Sequence, residues 1–246
     1  ILYQGRLLPS YDCIYAKGSH KYAQMLSAIS SSLSKDAYMP IAPSAYALAH
    51  DKIYSQIEIQ RHNIPMPTTY LAATIASARK ILKEVNYPII MKFPQGTHGK
   101  GVMYADSYAS ASSILDALDT LKQPFLIQEY VETGGVDIRA IVAGDKVIAA
   151  MKRKAEPGEE RANMHAGAVG EPYIPDTHTK KIAVEAAKAM GADVCAVDIL
   201  ESIKGPVVIE INVSPGLQGI TQVTETNVAE KIAKFLYGKT AERSEK

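Results

Sequence analysis

One short stretch near the C-terminus constrains this chain more than any other: Val207-Val208-Ile209-Glu210-Ile211-Asn212-Val213-Ser214-Pro215-Gly216. Its first seven residues alternate as a strand requires, because successive side chains of a strand point to opposite faces. The alternation predicts Glu210 and Asn212 on one face, and Ile209, Ile211 and Val213 on the other. A carboxylate and an amide oxygen two residues apart are hard donors aimed the same way, a set that suits Mg2+. Pro215-Gly216 ends the strand. Upstream, Val194-Cys195-Ala196-Val197-Asp198-Ile199-Leu200 reads as a second strand, joined through Ser202-Ile203-Lys204-Gly205-Pro206, a turn by composition. A hairpin centred near Lys204 puts Asp198 opposite Glu210, with Cβ atoms about 5 Å apart. Two carboxylates that close repel unless something cationic sits between them. The same pattern describes equally well a hairpin with one polar, solvated face.

The remaining segments alternate between strand and helix patterns. Residues 11–15 read as a strand, 21–33 as a helix with Met25, Leu26, Ile29 and Leu33 on one side, and 39–41 as an extended run. This order resembles part of an open α/β domain that lacks its beginning, and the first residue, Ile1, fits a chain that starts inside a domain. Ser44 is placed to cap a helix reaching His50, and Asp51 to cap the next, over 52–62. Ile64-Pro65-Met66-Pro67 is extended, and a new unit starts at Thr69. Helices are expected at 75–85, 108–121, 177–190 and 227–237. Strands are expected at 88–93, 102–105 and 125–131, with a hairpin over 137–143 and 146–151 across Gly144-Asp145. Residues 152–172 read as a long polar loop carrying Lys152, Arg153, Lys154, Arg161, Asn163 and His165; loops of that length are usually functional or disordered. The charged tail, 240–246, is expected to fray.

At 246 residues and 47% apolar, the chain can bury a sizeable core in two domains or one large one. Its net charge of +1 supplies no bulk attraction for nucleic acid or an acidic membrane. The two cysteines, Cys13 and Cys195, lie far apart in apolar runs, which predicts buried free thiols and a reducing, cytoplasmic setting. No stretch reads as a signal peptide, and no apolar run is long enough to span a bilayer.

Gln95-Gly96-Thr97-His98-Gly99-Lys100-Gly101-Val102 sets three glycines between two strands. Such a loop can bring backbone N–H groups close to phosphate oxygens, and it can equally be a plain hairpin tip. It lacks the Gly-Lys-Ser/Thr and the following helix of a P-loop, and the strand–glycine–helix order of a dinucleotide fingerprint. Lys92 precedes it in a run of Ile, Met and Phe, where an ammonium costs desolvation unless an anion pairs with it.

Lys52, Lys92, the glycine loop, Gln128-Glu129-Tyr130-Val131, Asp137-Ile138-Arg139, Arg161-Ala162-Asn163, Asp198 and Glu210-Ile211-Asn212 occur in the order of an ATP-grasp ligase. Within that superfamily the chain most resembles the RimK-type glutamate ligases, through Glu210-Ile211-Asn212-Val213-Ser214-Pro215-Gly216-Leu217 and Arg161-Ala162-Asn163-Met164-His165. The resemblance implies an α/β ATP-grasp fold of α+β subdomains behind a partial N-terminal open α/β domain. The implied boundaries are 1–45 for the N-terminal remnant and 46–246 for the ATP-grasp domain, divided into a lid subdomain at 68–130 and a metal-binding subdomain at 131–240. It implies Lys52 and Lys92 at the ATP phosphates, and Gly96, Gly99 and Gly101 in the lid over them. Glu129, Tyr130 and Val131 fall at the adenine edge, Asp137 beside the ribose, and Arg161 and Asn163 on nucleotide and phosphate. Arg153 and Arg161 are the implied cations for the transferring phosphoryl group. Asp198, Glu210 and Asn212 are the implied ligands of Mg2+, with Mn2+ as its substitute. The implied reaction joins a carboxylate to an amine through an acyl phosphate, with ATP as phosphoryl donor and glutamate as the incoming amino acid. The acceptor is a carboxylate-bearing small molecule or a protein C-terminus, with no nucleic-acid or membrane partner and a homo-oligomer left open. Two alternatives stand beside it: an ATP-grasp ligase acting on a pterin or deazaflavin coenzyme or an amino-group carrier protein, and a nucleotide-binding module without turnover. Two departures matter: the segment before Lys52 is much shorter than the family's first domain, and Ala166-Gly167-Ala168 stands where the subfamily usually has Arg-Gly-Gly, whose arginine would be a natural partner for a substrate carboxylate.

Overall fold

A computed structural model describes residues 1–94, 96, 101–119, 124–155 and 169–244. A two-stranded ribbon, β1 (Leu2–Tyr3) and β2 (Arg6–Leu7), precedes a 3-10 turn (His20–Tyr22) and three helices: α1 (Ala23–Leu33), α2 (Pro43–His50) and α3 (Lys52–Arg61). Two antiparallel sheets follow. The first has strand order β3-β6-β4-β5, from β3 (Thr69–Ala72), β4 (Ile89–Lys92), β5 (Val102–Ala105) and β6 (Phe125–Glu129). Helices α4 (Ile75–Leu82) and α5 (Tyr108–Asp119) cover one of its faces. Ala78, Leu82, Ala111 and Leu115 pack there on Ile89, Met91, Phe125 and Ile127. The opposite face carries Lys92 and Gln128, each offset by one residue from that core, as strand alternation requires.

The second sheet has strand order β11-β10-β7-β8-β9. Its strands are β7 (Val136–Ala143), β8 (Lys146–Lys154), β9 (Val169–Pro172), β10 (Val194–Ser202) and β11 (Gly205–Asn212). One face, with Ile138, Ala140, Val142, Cys195, Val197, Val208 and Ile211, is buried under α2, α3 and α6 (Thr177–Ala189). The other face is divided along the strands. Ile141, Met151, Val194 and Ala196 form its apolar half, covered by Ile220 of α7 (Gln218–Thr224) and Val228 and Ile232 of α8 (Val228–Ser244). Its polar half holds Asp137, Arg139, Arg153, Asp198 and Glu210.

The hairpin register is as the sequence predicts: Asp198 pairs with Glu210 and Ser202 with Gly205, across Ile203-Lys204. Alternation fails at one point. A β-bulge leaves Ile209 without a partner on β10, so Ile211 and Val213 are buried but Ile209 is only half-buried. Other expectations need correction. Residues 11–15 make a single bridge, Cys13 to Tyr38, in place of a strand, and Ile41 bridges to Ala192. Pro43 occupies the first turn of α2, so Ser44 is not its cap. Asp51 does cap α3, accepting from Ile53 and Tyr54 N–H at 2.8 and 3.4 Å. Strand β8 runs on through Lys152, Arg153 and Lys154, and β9 returns beside it, so those three cations lie in the sheet and not in a loop. The tail is helical to Ser244 where fraying was expected. Both cysteines are free; Cys195 is buried and Cys13 half-buried. No helix among the described residues is long and apolar enough to cross a membrane.

Candidate functional site

Asp198 sits directly between Arg139 on β7 and Glu210 on β11, three side chains in one cross-strand row. Arg139 grips it with two bonds, Nε to Oδ1 at 2.8 Å and Nη2 to Oδ2 at 2.6 Å. Arg153 reaches the same Oδ2 at 3.0 Å and forks onto Asp137, its own cross-strand neighbour, at 2.7 and 2.6 Å. The result is a planar-donor network of two guanidiniums and two carboxylates, with only 4% of Arg153 and 4% of Asp198 exposed. Burial works to raise the Asp198 carboxyl, and the two guanidiniums outweigh it and hold the group down at about 2. Burial lifts Asp137 to about 6 against the pull of Arg153. Asp198 is therefore ionised at neutral pH, while Asp137 is held less firmly in its charged form.

Glu210 is exposed, and among the described residues it forms no ion pair. Asn212 lies one step along the same face, opposite Ala196; its Oδ1 accepts from Ser214 N–H at 2.9 Å. Among the described residues no three His, Cys, Asp or Glu side chains converge as a metal cluster; the oxygen donors gathered here are two carboxylates and an amide. The loop after β11 is tied to the N-terminal segment, with Lys17 Nζ donating to the Pro215 carbonyl at 2.7 Å and Gly18 N–H to Ser214 Oγ at 3.2 Å.

The first sheet brings its lysine towards this face. Lys92 Nζ donates to Gln128 Oε1 at 2.6 Å. Burial of the ammonium lowers its pKa to about 8, with Glu210 pulling it back up and Lys52 pushing it further down. Lys92, Lys52 and Glu210 thus share one electrostatic neighbourhood, although they come from β4, α3 and β11. Lys52 is held by the start of the segment after β4: its N–H donates to the Pro94 carbonyl at 2.9 Å and its Nζ to the Gly96 carbonyl at 3.0 Å. Gly101 adopts φ +76°, and a Cβ there would fall 2.9 Å from the Phe93 ring.

Glu129 ends β6, exposed, with its carboxylate accepting from Thr68 N–H at 3.3 Å. Tyr130 and Val131 follow the strand and are not part of it, a correction to 125–131; the Tyr130 ring stands edge-on to Tyr104, centroids 5.3 Å apart. Asp137, implied beside a ribose, is 7% exposed, with both oxygens accepting from Arg153. Gly99, Arg161 and Asn163 lie outside the described residues. Arg139 and Gln128 carry no role of their own in the sequence motifs that contain them, and Gln56 lies outside those motifs. Arg139 was legible in principle, two residues from Asp137 on the same face of one strand.

Two antiparallel sheets, with Lys92 on one and the Arg139–Asp198 and Arg153–Asp137 pairs on the other, make up an ATP-grasp fold. The chain superposes on the ATP-grasp ligase PsnB complexed with minimal precursor, Mg and ADP with a TM-score of 0.71, at 20% identity, over 88% of this chain and 68% of that one. The RimK-like ATP-grasp domain matches residues 49–236, and the chain belongs to that family. It is 38% identical over 239 residues to a probable alpha-L-glutamate ligase of Shewanella loihica, covering 96% of this chain and 79% of that protein. It is 39% identical over 236 residues to a probable alpha-L-glutamate ligase 1 of Shewanella frigidimarina, covering 95% and 78%.

Proposed function

We propose that this chain is a carbon–nitrogen ligase that uses ATP to join a carboxylate to the amine of an amino acid, glutamate by kinship with the named relatives. The observation that supports this best is the placement of Lys92 and Lys52 in the electrostatic reach of Glu210, beside a buried arginine–aspartate network. Phosphoryl transfer needs positioning and charge stabilisation more than covalent help from the protein. Lys52 and Lys92 are assigned to the phosphates, and Gly96 and Gly101 to the lid over them, with Gly99 assigned there from the family resemblance alone. Glu129, Tyr130 and Val131 are assigned to the adenine edge. Arg153, with Arg161 and Asn163 assigned from the family resemblance alone, faces the transferring group. Asp198, Glu210 and Asn212 fit Mg2+ as hard oxygen donors; Asp198 Oδ1 accepts only one of the network's bonds and keeps a lone pair. Bound there, the metal would neutralise phosphate charge. The proposed boundaries are 1–45 for the N-terminal α/β segment and 46–246 for the ATP-grasp domain, with the lid at 68–130 and the metal-binding subdomain at 131–240.

On this reading the acceptor carboxylate attacks the γ-phosphorus, ADP leaves, and the amine displaces phosphate from the acyl phosphate. With an acceptor panel, ATP and glutamate, the expected products are ADP, phosphate and a glutamyl amide, and hydroxylamine should trap a hydroxamate. AMP and pyrophosphate would overturn the mechanism.

Lys92 sets a pH limit. Its folded pKa lies below that of a free lysine, and only its charged form pairs with phosphate. ATP affinity should therefore fall as pH rises through about 8, by up to about tenfold between pH 7 and 9. Lys92→Arg, which stays charged throughout, should flatten the profile. Calorimetric titration across that range is the check, and an unchanged slope in the variant would remove Lys92 from the phosphate contacts.

A further inference from the structure

A head-to-tail run of buried amides links the two sheets. It begins at Lys92, whose Nζ donates to Gln128 Oε1 at 2.6 Å. Gln128 Nε2 donates in turn to Thr69 Oγ1 at 2.8 Å and to Gln56 Oε1 at 3.5 Å. The Thr69 hydroxyl proton is engaged by the Pro67 carbonyl at 2.8 Å, so its oxygen faces Gln128 as an acceptor. Gln56 Nε2 donates to the carbonyl of Ile209 at 3.3 Å. Ile209 is the bulged residue with no partner on β10, one position before Glu210. Gln56 is 7% and Gln128 3% exposed.

Only one orientation of each amide satisfies this run. Flipping Gln128 would aim an NH2 at an ammonium and a carbonyl oxygen at another carbonyl oxygen, leaving buried polar groups unpaired. Two buried glutamines are a costly way to fill space, since apolar side chains would do so without desolvation. What they supply is direction. A lysine has four rotatable bonds and no fixed geometry of its own, so the group that accepts from its ammonium decides where the charge stands.

We infer that Gln128 and Gln56 are positioning residues, which hold the Lys92 ammonium in place and tie it to the Ile209 bulge beside Glu210. The run spans β6, α3 and β11, so the lysine of one sheet and the carboxylate of the other are set by the same rail. This rests on the reading of Lys92 as a phosphate contact, and the test separates the two.

The test is a double-mutant cycle on the full chain, read as ATP affinity with Mg2+ present. Lys92→Met alone must weaken binding for Lys92 to be a contact at all. Gln128→Met keeps the side chain's length and removes its polar atoms. It should weaken ATP binding by about tenfold, the scale of a lost supporting contact, and by less than about twofold once Lys92 is already Met. Gln56→Met should follow the same pattern with a smaller loss, and it carries the test alone if Gln128→Met does not fold. Equal losses with and without Lys92, or no loss in either, would show that the amides merely pack the junction, and the inference would fall. Unweakened binding by Lys92→Met would overturn both the lysine's assignment and the inference drawn from it.

Discussion

Replacing Arg153 with methionine is expected to destabilise the protein by about 3–5 kcal/mol, the usual consequence of removing one member of a buried ion pair. Methionine is no larger than arginine and carries no charge, so the loss comes from what remains. Asp137 loses both of its bonds at 2.7 and 2.6 Å, and Asp198 one of its three. In a chain of this length that corresponds to a melting temperature lower by about 6–20 °C. The deficit should depend on pH. Asp137 already titrates near 6 in the folded chain, above an unfolded carboxyl near 4. Without Arg153 its pKa rises further, so the unfolded state releases its proton first and stability falls as pH climbs through that interval. The variant should therefore look least damaged near pH 5 and worst above pH 7. Adding Asp137→Asn removes the stranded charge and should recover part of the loss. A variant that melts within 2 °C of the parent at every pH would mean that the network contributes little.

Glu210→Gln should do the reverse: abolish turnover and spare the fold. We expect turnover to fall by about 10³-fold or more, the scale seen when charge stabilisation of a transferring phosphoryl group is withdrawn. Glu210 is exposed and lies on the edge strand β11, so the melting temperature should stay within about 1 °C, as for most surface substitutions. The two substitutions together separate residues that build the site from residues that serve only in it. Turnover above a tenth of the parent's, or parent turnover that survives complete chelation of divalent ions, would remove Glu210 from the proposed metal site.

The hairpin that carries Asp198 and Glu210 was legible because alternation, turn composition and register all depend on local chain chemistry. The network around Asp198 was less so. Arg139 and Arg153 announce themselves as cations, yet their partners depend on which strands lie side by side, and β9 was hidden in a stretch that reads as loop. The bulge at Ile209 has no signature in Val-Val-Ile-Glu-Ile, since every residue there suits a regular strand. Gln56 and Gln128 look like surface polar residues until α3 and β6 are brought together; their role is a property of packing. Resemblance ordered the motifs along the chain, while geometry showed that Asp137 faces Arg153 within the sheet.

The division of one sheet face into a charged half and an apolar half has a consequence for how the sheet assembles. Sliding β10 along β7 by two residues keeps every side chain on its own side, so hydrophobic patterning alone would not detect the error. Charge does. Asp198 now faces Arg139; displaced one way it would face Ile141, and the other way Asp137. A buried carboxylate against an isoleucine or a second carboxylate is strongly disfavoured. The same side chains proposed to serve phosphoryl transfer therefore act as a key against misaligned assembly. Asp198 and Arg139 are thus constrained by assembly itself, a constraint that does not reach Glu210, exposed on the outermost strand.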